Sequence, residues 1–488
     1  MALRSEEHLI LFPFLAQGHI IPFMALARVL EQRTGYTITF VNTSLNIRAA
    51  RTAFPSTTKI RFAELPFDSS DHGLPPNSEN TDALSFPLIG RLLEVTLTLR
   101  PAFEQLISDI IAQDGRRPLC IISDFFFGWT VDVAKSFGIF HSMFISSGAY
   151  GTAVYFSLWL HLPHSKTNAE EFPLPDFPEP VSIHRSQLSN HLSAADGTDR
   201  WSLFLQPQLS SCLRSDAILF NTVAELDGFG LKYFREKMGD GKVWPIGPIS
   251  SILKTEVHRR KEPAMRVDVC IEWLNQHPPA SVLYISFGSM NTLSASQMME
   301  LAIGLEESGK PFIWVIRPPL GQDINGESSS EWLPEGYEER MKERKRGILI
   351  HRWAPQLEIL SHKSTGAFLS HCGWNSTVES LTRGVPMIGW PLSGEQFYNS
   401  QMLEEVMGVS VEIARSNRSE IHHGHVVAMI EMVMGDTEKR KDMTNKSQRV
   451  KEMFDAAVRE EEGFQGSSLR ALDGFINAAA ISTTTMAD

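Results

Sequence analysis

The chain contains 488 residues, of which 42% are hydrophobic and 21% are charged. This mixture excludes an intrinsically disordered chain, and at roughly 150 residues per domain the length predicts two or three folded domains. The net charge of −12, from 45 basic and 57 acidic residues, argues against a nucleic-acid-binding protein with a broad basic face.

Short apolar runs alternate with amphipathic segments along the chain, which predicts βαβ units and parallel sheets. In the first half we expect a helix at residues 20–32 and strands at residues 8–14, 36–42, 119–123 and 217–221. The pattern then restarts, with a helix expected at residues 294–308 and strands at residues 282–287, 312–316, 347–351, 367–370 and 387–389. The sequence therefore predicts an α/β protein with two doubly wound domains.

A proline-containing segment separates the two halves of the chain. Residues 244–248 have the sequence WPIGP, and the polar residues 250–266 that follow show no regular periodicity. We therefore predict a first domain at residues 1–243, a linker at residues 244–268 and a second domain at residues 269–463, followed by residues 464–488.

The cysteines and the N-terminal residues bear on the compartment. Cys120, Cys212, Cys270 and Cys372 form no CxxC pair, which argues against a disulfide framework and a zinc knuckle and fits a reducing compartment. The first residues include two acidic groups where a secretory signal carries positive charge. Residues 142–160 are uncharged but too polar for a membrane span. We expect a cytoplasmic protein without membrane insertion.

One strand end has the features of an anion site. Open parallel sheets bind ligands beyond the carboxyl ends of their strands, and His371 follows a predicted strand directly, ahead of a glycine and a helix beginning at Asn375 and Ser376. Backbone N–H groups and the helix dipole would hold a phosphate there without a metal, and His371 adds a donor. A structural alternative is a capping box of Ser376 and Glu379, which the pattern alone favours.

Other sequence motifs that would indicate a different function are incomplete or missing. Residues 304–310 match most of a P-loop, but Pro311 stands where the loop needs Ser or Thr, and the segment ends a helix. No G-x-G-x-x-G follows a strand, and no G-x-S-x-G elbow is present. His422, His423 and His425 lack carboxylates or cysteines at ligand spacing, so we interpret them as a solvated helix start and predict no metal site.

A 44-residue segment, residues 353–396, is far more specific. It contains the sequences WAPQLEILSH, HCGWNS, GVPM and EQ in that order, and in length and residues it closely resembles the signature box of the plant secondary-product UDP-glycosyltransferases, family 1. The similarity extends to Gly18 and His19, to Asp124, and to residues 244–248, 287–289 and 466–468.

The resemblance implies the GT-B fold, two Rossmann-like doubly wound domains that face each other across a cleft. The N-terminal domain would bind the acceptor and the C-terminal domain the UDP-sugar. Residues 464–488 would form a helix that returns to the N-terminal domain, plus a tail. The family needs no metal or other cofactor, and UDP-glucose serves as the co-substrate.

The resemblance also assigns the donor-binding residues. Trp353 would stack on uracil, the backbone of Ala354 would pair with its edge, and Gln356 and Glu379 would bond the ribose hydroxyls. Residues near the predicted anion site would hold the diphosphate: Ser289, His371, Gly373, Asn375 and Ser376. The sugar would contact Trp374, Glu395, Gln396 and Ser146. Glu395 departs from the commoner Asp, which lengthens the reach to the sugar hydroxyls.

His19 is the expected catalytic base. A neutral imidazole accepts a proton from a hydroxyl near pH 7, and Asp124, from a neighbouring strand end, would bond the other ring nitrogen. A structural histidine in a strand–helix turn is the alternative. Phe14, Phe125 and Phe126 are candidates for an apolar acceptor site, and they also fit ordinary core packing.

The expected activity is inverting transfer of glucose from UDP-glucose to a hydroxyl of a small lipophilic plant metabolite, a flavonoid, another phenolic or a terpenoid, giving a β-O-glucoside. Gln396, the last box residue, accompanies glucose in the family, and its amide can donate and accept at once. We expect a monomer whose partners are the UDP-sugar and the acceptor. Alternatives are a non-catalytic nucleotide-sugar-binding protein and a hydrolase that uses Ser147 with His19 and Asp124.

Overall fold

The computed structural model describes residues 7–55, 57–178, 180–253, 265–319, 332–351, 353–416 and 418–485. The chain divides into two compact units. The first comprises the described residues of Met1–Arg185, Asn190–Arg260 and Ala456–Asp488, and the second those of Ser186–Ser189 and Lys261–Asp455. Within the predicted linker, residues 254–264 lie outside the described residues.

The first unit is built on a parallel sheet. Its strands are β1 His8–Phe12, β2 Thr37–Thr43, β3 Arg61–Leu65, β4 Cys120–Ser123, β5 Phe140–Ile145, β6 Glu171–Pro173, β7 Ser182–His184, β8 Ala217–Phe220 and β9 Val243–Pro245. Seven of them form a sheet in the order β3-β2-β1-β4-β5-β8-β9, with parallel neighbours throughout. β6 and β7 form a separate antiparallel pair. β1, β4 and β5 are completely buried, as expected for the centre of a parallel sheet covered on both faces.

Helices connect these strands. They are α1 Gln17–Thr34, α2 Ser44–Ala53, α3 Phe86–Val95, α4 Arg100–Asp114, α5 Thr130–Phe137, α6 Ala149–His161, α7 Asn190–Ser193, α8 Arg200–Cys212, α9 Gly228–Met238 and α10 Ile249–Ile252. The uncharged residues 142–160 divide between β5 and α6, and both are largely buried in the unit. Across the described ranges, no helix has the length and apolar character needed to cross a membrane.

The second unit repeats the architecture. Its elements are α11 Val267–Leu274, β10 Val282–Ser286, α12 Ala295–Ser308, β11 Phe312–Ile316, α13 Tyr337–Glu343, β12 Gly347–His351, α14 Gln356–Ser361, β13 Thr365–Ser370, α15 Trp374–Leu381, β14 Met387–Gly389, α16 Gln396–Gln401, β15 Ser410–Glu412 and α17 His423–Met434. The parallel sheet has the order β12-β11-β10-β13-β14-β15. One face of β10 and β11 packs with α12 and α17, around Leu283, Ile285, Trp314, Leu301 and Ile430. The prediction of two Rossmann-like domains is confirmed.

The C-terminal elements are α18 Glu438–Val458, β16 Glu460–Glu461, β17 Phe464–Gln465 and α19 Ser467–Thr485. α18 begins in the second unit and ends in the first, where α19 also lies. Leu472, Phe475 and Ile476 of α19 are part of the core formed by α1 and the sheet of the first unit. The Ser468 hydroxyl donates to the carbonyl of Gly247, just beyond β9.

Candidate active site

His19 and Asp124 are brought together at the carboxyl edge of the first sheet. His19 lies in the first turn of α1, which follows β1, and Asp124 comes directly after β4. Because β1 and β4 are parallel neighbours, their carboxyl ends meet. His19 Nδ1 lies 2.6 Å from Asp124 Oδ2, and the Asp124 side chain is fully buried while 20% of His19 is exposed.

This contact fixes the tautomer of the neutral imidazole. A carboxylate only accepts hydrogen bonds, so Nδ1 of His19 carries the proton and Nε2 of the neutral ring holds a lone pair. Asp124 is fixed in turn, because its Oδ1 accepts a hydrogen bond from the backbone N–H of Phe126 at 3.1 Å. The pair has the arrangement of a base and the carboxylate that orients it.

Aromatic rings surround the imidazole of His19. The Phe14 ring stands edge-on to it at 5.4 Å between centroids, and the Phe125 and Phe126 rings lie 5.9 and 5.6 Å away. Phe14 is buried, whereas Phe125 and Phe126 are half-buried. These two rings therefore offer apolar surface beside His19 instead of filling the core.

Ser146 lies just beyond the carboxyl end of β5, which pairs with β4, the strand that Asp124 follows. It is 7% exposed, and its carbonyl accepts a hydrogen bond from Asn221. Asp227, which sequence analysis did not select, accepts hydrogen bonds from the backbone N–H groups of Ala149 and Tyr150 at 2.6 and 2.7 Å. Asp227 therefore anchors the start of α6 beside Ser146, and burial raises its pKa to about 6 despite these bonds.

In the second unit, the predicted donor-binding residues all follow strands of one sheet. Ser289 comes after β10, Trp353 after β12, His371 after β13 and Glu395 after β14. Because these strands are parallel, the residues share the carboxyl edge. Ala354 is buried and Trp353 is half-buried, and the Ala354 carbonyl accepts a hydrogen bond from the backbone of Gln356 at 2.9 Å.

The turn between β13 and α15 does not contain the capping box that was the structural alternative for Ser376 and Glu379. The N-cap is Gly373 and the helix begins at Trp374, so Ser376 lies inside the first turn and does not cap it. Cys372, whose φ of 61° lies in the left-handed region, directly precedes this N-cap. The backbone N–H groups of this first turn remain those of a helix start, which is the feature an anion uses.

The His371 ring is pinned beside this turn. It packs against Gly288 and Gly373, where a Cβ at Gly288 would come within 2.7 Å of Nε2 and one at Gly373 would also clash. Burial lowers the pKa of His371 to about 4, although a hydrogen bond to the Ser286 backbone opposes the shift. The ring is therefore neutral at pH 7 and contributes no positive charge.

Gln356 and Glu379 are in direct contact. Gln356 Nε2 donates to Glu379 Oε2 at 2.7 Å and is 3.2 Å from the Ser376 hydroxyl. Tyr284 of β10 donates to Gln356 Oε1 at 3.0 Å. Sequence analysis missed Tyr284, because it reads as one more apolar strand residue.

The Gln396 amide is bonded to the residues that precede α16. Its Oε1 accepts hydrogen bonds from the backbone N–H groups of Leu392 and Ser393 at 3.1 and 3.0 Å. Its Nε2 donates to the Ser393 hydroxyl at 3.3 Å, which leaves one N–H of the amide as a donor. Glu395 stands at the N-cap of α16, and Asn399 of that helix donates to the Cys372 carbonyl at 3.1 Å.

The histidines near residue 422 do have a carboxylate beside them. Glu300 of α12, His422 and His423 form the group with metal-binding spacing in the described ranges. Spacing in the sequence did not reveal Glu300. Its Oε2 accepts a hydrogen bond from the backbone of His423 at 2.6 Å and lies 2.8 Å from Nδ1. Glu300 and the His422 ring, which accepts a hydrogen bond from the backbone N–H of Gly424, thus both bond the start of α17.

The chain is similar in sequence and structure to known proteins. A family model described as UDP-glucoronosyl and UDP-glucosyl transferase matches residues 259–452. UDP-glycosyltransferase 92A1 of Arabidopsis thaliana is 44% identical over 481 residues, 97% of each chain. Crocetin glucosyltransferase 3 of Crocus sativus is 48% identical over 415 residues, 82% of this chain and 85% of that protein. The crystal structure of Glycyrrhiza uralensis UGT73P12 complexed with glycyrrhetinic acid 3-O-monoglucuronide matches with a TM-score of 0.83 at 28% identity, over 98% and 96% of the chains.

Proposed function

Because the chain belongs to the UDP-glycosyltransferase family, we propose that it moves glucose from UDP-glucose to a hydroxyl of a small lipophilic plant metabolite. The family and the GT-B fold predicted from the sequence are both confirmed. The acceptor class is a flavonoid, another phenolic or a terpenoid, and the product is a β-O-glucoside. The 2.6 Å contact between His19 and Asp124 is the observation that carries this proposal.

His19 begins the reaction as a general base. Its Nε2 lone pair takes the proton from the acceptor hydroxyl, and Asp124 stabilises the imidazolium that results. The acceptor oxygen then forms a bond to the anomeric carbon on the face opposite UDP, while the bond between that carbon and the diphosphate oxygen breaks. Attack from the opposite face inverts the α-linked donor, and UDP leaves with the bonding electron pair.

The carboxyl edge of the second sheet holds the donor. Trp353 stacks on uracil, the Ala354 backbone pairs with its edge, and Gln356 and Glu379 bind the ribose. The diphosphate is held at the start of α15 by residues that carry no positive charge: Ser289, His371, Gly373, Asn375 and Ser376. The negative charge that develops on the diphosphate as UDP leaves is stabilised there by the helix dipole and backbone N–H groups, so no metal is required.

Glucose is selected by complementary groups beyond β14. Gln396 donates to one sugar hydroxyl through its amide N–H, because its oxygen is already bonded to the backbone. Glu395 accepts from another hydroxyl, and Trp374 supplies an apolar face with no counter-charge for a glucuronate. Ser146 of the first unit is a further sugar contact. Crocetin glucosyltransferase 3 is named for transfer of the same sugar, which supports this choice.

The half-buried rings of Phe125 and Phe126, together with Phe14, form the apolar wall against which a lipophilic acceptor lies. Their contact with the His19 ring, at 5.4 to 5.9 Å between centroids, supports this role. We also propose that the protein acts in the cytoplasm, since buried free cysteines fit a reducing compartment. We propose that it acts there as a monomer.

The test is an acceptor-library screen with UDP-glucose, read by product mass and by release of UDP. A mass gain of one hexosyl group on phenolic or terpenoid hydroxyls supports the proposal. Tight UDP binding with no UDP release across the library would support the non-catalytic alternative. Ester turnover without UDP-glucose would instead support the hydrolase that uses Ser147.

A further inference from the structure

Tyr284 occupies the centre of the second sheet with a polar group that needs a partner. It lies in β10, is 1% exposed, and stacks on Phe368 of the adjacent β13 with ring centroids 4.9 Å apart. A buried hydroxyl costs free energy unless it is hydrogen-bonded. Here the hydroxyl donates to Gln356 Oε1, across 72 residues of sequence.

This hydrogen bond determines which way the Gln356 amide faces. Its Nε2 faces Glu379 Oε2 at 2.7 Å and the Ser376 hydroxyl at 3.2 Å. If the amide were turned over, its oxygen would face the Glu379 carboxylate, and two acceptors would repel. By donating to Oε1, the Tyr284 hydroxyl stabilises the orientation in which the N–H groups face α15.

We propose that Tyr284 is a positioning residue for ribose recognition, acting through Gln356 on the carboxylate of Glu379. The inference rests on the proposed assignment of Gln356 and Glu379 to the ribose hydroxyls. The donors run in one direction, from Tyr284 to Gln356 to Glu379, so each hydrogen bond polarises the next. The carboxylate is thereby held in place before the nucleotide binds, which reduces the ordering cost of binding.

Tyr284→Phe removes the hydroxyl and keeps the ring that stacks on Phe368. We expect the dissociation constant of UDP to rise about 3- to 10-fold, the range for loss of one hydrogen bond. The dissociation constant of 2′,3′-dideoxy-UDP, which lacks both ribose hydroxyls, should change much less. Isothermal titration calorimetry of the full chain with both nucleotides therefore measures the loss of ribose preference.

Tyr337→Phe is the matched control. Tyr337 is also a buried tyrosine of the second unit, and its hydroxyl has no hydrogen-bond partner among the residues that the structure describes. Its ring packs on Phe312 of β11 as Tyr284 packs on Phe368. This variant should bind both nucleotides as the wild type does, so a general effect of losing a buried hydroxyl is separated from the ribose effect.

A second measurement places Tyr284 upstream of Gln356. In a Gln356→Ala background, Tyr284→Phe should cause no further loss of UDP affinity, because the residue through which it acts is gone. Equal weakening of UDP and 2′,3′-dideoxy-UDP by Tyr284→Phe, or additive loss in the double variant, would overturn the inference and leave the proposed function intact. A wild-type protein that binds UDP and 2′,3′-dideoxy-UDP equally would overturn the ribose assignment and the inference together.

Discussion

Arg33 and Asp473, 440 residues apart, form a two-point ion pair: Arg33 Nε donates to Asp473 Oδ1 at 2.5 Å and Nη2 donates to Oδ2 at 2.8 Å. Arg33 lies near the end of α1 and Asp473 in α19. The last helix of the chain is therefore tied to the helix whose first turn carries His19. The stability of the unit that carries His19 consequently depends on residues at the far end of the sequence.

Phe475→Ala tests this dependence. Phe475 is 1% exposed in the core of the first unit, with its ring 6.4 Å from that of Phe140. Truncation should lower the free energy of unfolding by about 3–5 kcal/mol, because a cavity is left between α19 and the sheet. Urea denaturation measures the loss. Ile481→Ala, a control at a 67% exposed position of the same helix, should stay within about 0.5 kcal/mol of wild type.

Regular elements were the most predictable part of the fold. β11, β12 and β14 have the expected bounds, because short apolar runs between breakers are a direct signal of buried parallel strands. β3 was missed, since it is an edge strand whose residues are mostly exposed or half-exposed. β5 was missed because its uncharged residues run on into α6, and periodicity does not separate two buried elements.

Contacts over long sequence distances were the least predictable part of the site. The strand-end rule placed His19 near Asp124, because the ends of parallel strands meet at one edge. The rule says nothing about a side chain inside a strand, so it missed the bond from Tyr284 to Gln356. It also missed Glu300, which reaches His423 across 123 residues. The capping box, the structural alternative for Ser376 and Glu379, is absent because α15 begins at Trp374 and places Ser376 inside its first turn.

Acid should destabilise the first unit through His141. This residue is fully buried, and its ring lies within hydrogen-bond distance of the hydroxyls of Ser123, Thr130 and Ser215. Burial lowers its pKa to about 3. The folded-state value is below the unfolded one, so the stability it contributes is present above pH 6.5 and is lost as the pH falls toward 3.

His141→Asn removes this titration. Between pH 7 and pH 5 the wild type should lose about 2 kcal/mol more unfolding free energy than the variant, because only the unfolded wild type protonates at this position. Urea titrations of both proteins at the two pH values measure the difference. An identical pH dependence in both proteins would contradict a buried neutral His141, whatever the absolute stability of the variant.

Transfer should not depend on a divalent metal. The proposed diphosphate site uses the start of α15 and a neutral His371. The group with metal-binding spacing among the described residues, Glu300 with His422 and His423, lies at the start of α17. Initial rates in EDTA should stay within about twofold of those in buffer, since the helix terminus supplies the stabilisation. Complete loss of activity that magnesium or manganese restores would contradict the helix-terminus mechanism.

UDP-glucose should be preferred over UDP-galactose by about tenfold or more. Galactose inverts one hydroxyl and leaves a partly buried polar group without its partner, which costs about 1–3 kcal/mol, and 1.4 kcal/mol is one decade. Gln396→Glu should reduce the preference, because the variant keeps the side-chain length and loses the N–H donors. Initial rates with both donors at matched low concentration measure this preference. Equal or faster galactose transfer by the wild type would refute the predicted preference for glucose.

Proton transfer to His19 is tested most directly by the turnover of His19→Ala on two acceptors from the library, an aliphatic alcohol and an acidic phenol. We expect kcat/KM on the alcohol to fall by about 10²- to 10⁴-fold, with a smaller loss on the phenol, because an acidic hydroxyl needs less help from a base. The dissociation constant of UDP should stay within about threefold of wild type, since His19 serves the acceptor and one decade in affinity is 1.4 kcal/mol. His184→Ala, at a 43% exposed histidine of β7, is the control and should retain full activity. Near wild-type turnover of the alcohol by His19→Ala would contradict the assignment of His19 as the catalytic base.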